Sequence, residues 1–192
     1  MAVTSTMLEL GTEAPDFSLP DTVSEKTISL SDYADKKGVL VMFICNHCPY
    51  VQHVREELVR IGKDYADSDI GVVAICSNDS DHYPGDSPEA MKAEAEAHGY
   101  VFPYLHDEDQ SVAKAYSAMC TPDFFLFGPD RKLVYRGRMD GSRPNTDVPV
   151  TGEELRAAME AVLASEQVSD TQLPSMGCSI KWKPDNEPAY IG

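Results

Sequence analysis

Positive charge is scarce in this sequence. Its 192 residues carry 16 Lys and Arg against 32 Asp and Glu, a formal net charge of −16. Broad electrostatic attraction to a phosphate backbone or an anionic membrane surface is therefore disfavoured, and neither nucleic acid nor membrane is expected as a partner. Long apolar runs are missing as well. One of the longest, VLVMFIC at residues 39–45, is far too short to span a bilayer. The N-terminal stretch MAVTSTMLELGTEAPDF has no basic region leading into an apolar one, so it does not read as a secretory signal. A cytoplasmic location is the resulting expectation, and in that compartment permanent structural disulfides are rare. No glycine-rich phosphate cradle and no cluster of metal ligands occurs, so no cofactor and no metal is expected. Internal repeats are absent too.

What is present is enough for one folded domain. Apolar residues make up 42% of the chain and charged residues 25%, a balance that excludes intrinsic disorder. Residues 12–20 read as an extended lead-in, followed by a short strand at 27–30 and a short helical connection ending at Gly38. VLVMFI at 39–44 has the continuous apolar character of a strand buried on both faces. From there the period changes: Val51, Val54, Leu58, Ile61 and Tyr65 recur at steps of three and four, which predicts an amphipathic helix over 46–66. GVVAICS at 71–77 is a second buried strand. A helix over 88–98 is framed by Ser87-Pro88 as cap and first residue and by Gly99 at its end. A short strand at 102–105, a short helix at 109–117, a strand at 123–127 and an antiparallel partner at 133–139 follow. The last helix, 151–164, opens on a capping box of Thr151 and Glu154. The order β-α-β-α-β-α-β-β-α is that of an α/β domain. Residues 165–192 lack a period and are read as an irregular C-terminal extension packed on the domain; they hold Cys178 and the single tryptophan, Trp182.

Of the five cysteines, Cys45 and Cys48 form a C-x-x-C pair at the predicted strand-to-helix junction, the edge where α/β proteins keep their sites. A zinc site would need two more ligands, usually from a second close pair. Cys76, Cys120 and Cys178 are isolated, and His47 lies inside the motif, where joining both sulfurs around one ion is awkward. The redox reading is preferred: both sulfurs sit within reach of each other at a helix N-terminus, whose dipole lowers a thiol pKa. By position, Cys45 is expected to be the more exposed attacking thiolate and Cys48, one turn in, the resolving thiol. His47 adds partial positive charge.

VLVMFICNHCPYV resembles the active-site strand and helix of the thioredoxin superfamily, in the redoxin branch that also includes peroxiredoxins and cytochrome-maturation thioredoxins. APDFSLPD is similar to the opening segment of that branch. CTPDFFLF, YRGRMD, SRP and GCSIKWKP extend the resemblance over nearly the whole chain, to a thioredoxin-like family with a CNHCPYV motif. The resemblance implies a thioredoxin-like fold over 1–164: a central mixed β-sheet flanked by helices, preceded by an extended or hairpin segment. It implies a cis Pro122, with the Thr121 backbone free to pair with a bound peptide as an added strand. It also implies a buried acidic residue able to take a proton from the resolving thiol, for which Asp32, Asp35, Asp107, Asp123 and Asp140 are candidates.

The activity expected is exchange between the Cys45/Cys48 dithiol and protein or small-molecule disulfides. The alternatives are a peroxiredoxin-like peroxidase and a non-catalytic interaction module. Peroxidase chemistry ranks lower because Val41, Met42, Phe43 and Ile44 stand where peroxiredoxins carry Pro and Thr, although Arg136 or Arg138 offers charge. Cys76 and Cys120 are read as buried packing thiols, Cys178 as a candidate third redox cysteine, and Glu56 and Glu57 as the solvated face of the first long helix. The sequence does not fix the oligomeric state or the reducing partner.

Overall fold

The computed structural model describes residues 2–191. Along the chain come the strands β1 (Ala2–Thr4), β2 (Ser18–Pro20), β3 (Thr27–Ser29) and β4 (Gly38–Phe43). Helix α1 (Pro49–Tyr65), strand β5 (Ile70–Cys76), helix α2 (Pro88–His98), strand β6 (Tyr104–His106) and helix α3 (Ser111–Ala115) follow. The chain closes with β7 (Cys120–Thr121), β8 (Asp123–Phe127), β9 (Leu133–Gly137), α4 (Glu153–Leu163) and β10 (Met176–Ser179).

Every residue of β4 is buried, as a continuous apolar run allows only in the middle of a covered sheet. That sheet has the order β6-β5-β4-β8-β9. β5 and β6 pair in parallel on one side of β4, and β8 and β9 run antiparallel on the other. Alternation along β4 divides the interior in two. Leu40 and Met42 join Leu58 and Ile61 of α1 and Leu155 and Met159 of α4. Val39, Val41 and Phe43 face the other layer, with Val112 and Ala113 of α3 and with Tyr116. There Phe43 meets Tyr116 and Phe125 edge-on at 5.5 and 5.8 Å, and each such buried aromatic contributes about 1.5–3 kcal/mol. No helix among the described residues is long and apolar enough to cross a membrane.

Three local features depart from the sequence reading. Helix α1 begins at Pro49 rather than at 46, because a residue before proline is barred from helical backbone; Cys48 accordingly has φ −73° and ψ 121°. Helix α4 has no Thr151–Glu154 capping box. Its N-cap is Gly152, and the free amides of Thr151 and Gly152 donate to Asp140 Oδ2 at 2.8 and 2.7 Å, while Glu154 is taken by Arg138. Glu57 is buried, not solvated: Arg60 and Arg156 each donate to it at 2.6 Å, which ties α1 to α4. The framing of α2 is as read, with Ser87 Oγ accepting from Ala90 N–H at 3.3 Å and Gly99 closing the helix.

The otherwise irregular tail contributes β10, the central strand of a second sheet ordered β1-β10-β7. Ser175 and Ile180 are buried, and Trp182 packs half-buried over the Phe43 layer. Two glycines let the tail lie this close. At Gly177 an added Cβ would collide with the Thr121 carbonyl; at Gly137, where φ is +138°, it would collide with the Leu173 carbonyl. Gly137→Ala should therefore destabilise the protein by more than about 1 kcal/mol in urea unfolding and expose the 165–175 stretch to protease. An unchanged midpoint and cleavage pattern would contradict this account of the tail.

Candidate functional site

The end of β4 delivers Cys45 to the carboxyl edge of the sheet, and the three residues before Pro49 form a loop held by side chains from distant segments. Asn46 is the most restrained. Its backbone N–H donates to Asp86 Oδ1 at 2.8 Å and its side-chain amide donates to the Gly85 carbonyl at 2.9 Å. Its side-chain oxygen accepts from Tyr104 Oη at 3.0 Å, and its carbonyl accepts from Gln52 Nε2 at 2.9 Å. Asp86 is fully buried and also receives Asn78 Nδ2 at 2.8 Å and pairs with His47 Nδ1 at 2.6 Å. Neither Asn46 nor Asp86 was among the sequence candidates. Asp86 lies forty positions from Asn46 in a polar loop, and nothing in the spacing links them.

Cys45 and Cys48 are both buried, at 1% and 0% exposure, so the expected difference in access is absent. Thr121 addresses the two sulfurs: its hydroxyl lies 3.2 Å from Cys45 Sγ, and its carbonyl oxygen lies 3.1 Å from Cys48 Sγ. Cys48 is the N-cap of α1 rather than a residue inside it. Motif position pointed to Cys45, but within the reduced pair negative charge is favoured at Cys48. Hydrogen bonds from the Cys45 thiol, the Cys178 thiol and the backbone N–H groups of Val51 and Cys178 hold its pKa well below the usual thiol range, against its burial. Cys45 is pushed up by its bond to Cys48, by burial and by the Asp86 charge. The Thr121 carbonyl, 3.1 Å away, accepts from Cys48 as a thiol and opposes a thiolate there.

The Thr121–Pro122 peptide bond is cis. The edge of Thr121 is not free for an incoming peptide, however, because β10 already occupies it with Cys178 opposite Thr121 and Ser179 opposite Cys120. Cys178 is half-buried, packs against the core layer that contains both motif cysteines, and has its pKa raised to about 11 by burial and by its contact with Cys48. Cys76 and Cys120 are buried, and burial pushes both thiols up.

His47 is exposed and stacks on Tyr83 at 5.7 Å, with its Nδ1 on Asp86. Cys45, His47 and Asp86 have donor atoms within 4.8 Å of one another. That trio falls one ligand short of a closed tetrahedral site, and both Asp86 oxygens are already engaged by hydrogen bonds. Of the acidic candidates, Asp32 and Asp35 are exposed. Asp107 is spent on Ser77, Val112 and Ala113, and Asp140 on Ser142, Thr151 and Gly152. Asp123 remains: fully buried beside Pro122, it has Oδ1 without a partner and Oδ2 receiving a long 3.4 Å bond from Met119 N–H. Burial, opposed by amide bonds from Met119 and Phe124, raises its pKa to about 8. Arg136 is bound to the Leu8 carbonyl and Gln172, and Arg138 to Glu154, so neither is directed at the cysteines.

Among solved structures, the chain is similar to an uncharacterized conserved protein from Geobacillus kaustophilus, at 54% identity and TM-score 0.94 over 96% of this chain and 98% of that one. It is similar to a hypothetical protein from Sinorhizobium meliloti at 49% identity and TM-score 0.92, over 94% and 98% of the two chains. The thioredoxin domain of a thiol-disulfide oxidoreductase from Bacteroides vulgatus shares the fold at 20% identity and TM-score 0.58, over 72% of this chain and 91% of that one. No curated protein sequence matches. The family model that matches is that of the AhpC/TSA family, over residues 10–136, which with the mixed sheet and the cis Thr121–Pro122 loop establishes that this chain is a thioredoxin-superfamily redoxin-domain protein belonging to the AhpC/TSA family.

Proposed function

We propose that the protein is a thiol-disulfide oxidoreductase in which Cys45 and Cys48 are the dithiol/disulfide couple. The observation that carries this reading is the convergence of both sulfurs on Thr121, one on its hydroxyl and one on its carbonyl, at the entrance of α1. Such a pair holds a stabilised thiolate beside a second thiol, which is what formation and resolution of a mixed disulfide require. The thiol-disulfide oxidoreductase with the same fold supports the reading. Peroxide reduction is the weaker alternative. It needs a cation to polarise the peroxide beside the attacking sulfur, and Arg136 and Arg138 are both engaged elsewhere.

In this reading Asp123 is the proton acceptor. It is the one buried carboxylate of the candidates left with an unpartnered oxygen, and it lies on the strand that follows Pro122. A pKa near neutrality lets a group take up and return a proton within a turnover.

Two outcomes are expected. Reduced protein, freed of other thiols, should transfer two electrons to glutathione disulfide, and mass mapping should locate a Cys45–Cys48 linkage. Cys48→Ser should bring the transfer to background, and undiminished two-electron transfer in that variant would sink the proposal. Asp123 should also leave a mark on stability. Its folded pKa of about 8 lies above the unfolded carboxylate value, so the native state holds a proton that the unfolded chain gives up from about pH 4. Stability should therefore fall relative to Asp123→Asn as the pH rises from about 4 towards about 8, then level off. Parallel urea midpoints across that range would show that Asp123 is not held protonated.

A further inference from the structure

Three cysteines, not two, gather around Thr121. Cys45 at the end of β4 and Cys48 before α1 both place their sulfurs on it, and Cys178 of β10 packs against the core layer that holds the pair. The approach of Cys178 is fixed by backbone. Cys178 is the ladder partner of Thr121, whose carbonyl oxygen is 3.1 Å from Cys48 Sγ, and Gly177 keeps a side chain from wedging the two strands apart. On its other edge Cys178 pairs with Ala2, so β10 is held from both sides. The tail thus presents its own cysteine on the edge where an extended substrate would lie. Access is reversed relative to the motif: Cys45 and Cys48 are covered, and Cys178 is partly exposed.

We propose that β10 is a built-in exchange partner, with Cys178 as a third redox thiol through which the buried couple trades disulfides with small thiols and disulfides. The proposal rests on the reading of Cys45 and Cys48 as a redox couple and adds the route and the substrate class. A small disulfide RSSR is attacked by Cys178 Sγ as its proton passes to the Cys48 thiolate, giving a Cys178–SR mixed disulfide and releasing RS⁻, which then takes that proton from Cys48. The Cys48 thiolate then attacks Cys178 Sγ, forms Cys48–Cys178 and expels the second RS⁻. The Cys45 thiolate attacks Cys48 Sγ, forms Cys45–Cys48 and releases Cys178. The two protons lost by Cys45 and Cys48 end on the two RS⁻ groups, so the balance is RSSR plus two protein thiols giving one protein disulfide plus two RSH.

Run in reverse, the same steps oxidise a small thiol. In that direction external RS⁻ attacks Cys178 of the Cys48–Cys178 disulfide, and Cys48, a stabilised thiolate, is the departing group; a low-pKa sulfur leaves faster. The substrate class follows from occupancy. With the Thr121 edge filled by β10, a protein strand has no free ladder to join, whereas a small molecule needs only the exposed side of Cys178.

The test uses the full chain with glutathione disulfide. In Cys45→Ser, mass mapping should find an intramolecular Cys48–Cys178 disulfide with two glutathiones released per chain. A persistent glutathione adduct, or no reaction in a folded variant, would overturn the proposal. In the native protein, limiting reduction followed by alkylation should trap a fraction with Cys45 alkylated and Cys48–Cys178 joined. If Cys45–Cys48 forms but Cys48–Cys178 never does, this inference fails while the redox couple stands. If neither linkage forms at any glutathione ratio, the couple itself fails.

Discussion

Thr121 is held from three directions, and the site takes its shape from that. Its strand is paired to β10, its hydroxyl lies 3.2 Å from Cys45 Sγ, and its carbonyl lies 3.1 Å from Cys48 Sγ. With Cys178 of β10 paired opposite Thr121, that edge of the peptide is not open to a second strand. β10 therefore fixes the geometry around Thr121 and closes the edge in one step. Gly177 and Gly137 are the conditions for it, since any side chain there strikes a carbonyl of the opposing segment. The tail is in this sense part of the site, although it lies outside residues 10–136 that the family model matches.

The excess of acid also acquires a role inside the protein. Asp86, Asp107 and Asp140 are buried, and each collects backbone amide or side-chain donors that pin a loop. Such carboxylates replace lost hydration with several donors at once, which is what makes a buried charge tolerable. Asp86 does more than pin its loop. Sitting against Cys45, it disfavours a second negative charge on that sulfur and so helps to leave the thiolate on Cys48. A residue forty-one positions from Cys45 in sequence thereby adds to the bond from Cys48 and to burial in setting how charge is shared within a four-residue motif.

Much of the framework was legible in the chain because it is local. The apolar run at 39–44, the three-and-four spacing from Val51 to Tyr65 and the Ser87-Pro88 cap are properties of neighbouring residues, and each corresponds to β4, α1 or α2. The pair Cys45 and Cys48 was visible for the same reason. What escaped was set by contacts across the fold. The helix predicted from 46 starts at Pro49, whose effect falls on Cys48, which it keeps out of helical backbone. Glu57 looked solvated because its partner Arg156 lies ninety-nine residues away. The entry to α4 is held by Asp140 rather than by a capping box in its own first turn. No period or spacing could show that Asn46 and Asp86 meet, or that the tail would fill the edge of Thr121.

Family membership fixes the fold and leaves the chemistry to be argued from the site. Here the decisive groups are cations. A peroxide bond is cleaved heterolytically onto a thiolate, and the departing oxygen carries developing negative charge that must be met by donors or a positive group. Arg138 is held by both oxygens of Glu154, and Arg136 by Gln172 and the Leu8 carbonyl. The charged neighbour that Cys45 does have is Asp86, which is of the wrong sign for an anionic transition state. Thiol-disulfide exchange has a lighter demand, because charge is shared among three sulfurs in line and a neighbouring thiol can donate to whichever one bears it. Cys48, flanked by Cys45 and Cys178 and fed by the Val51 amide, meets that demand with groups already in place. The same acidic surroundings that weaken a peroxidase reading are therefore compatible with exchange.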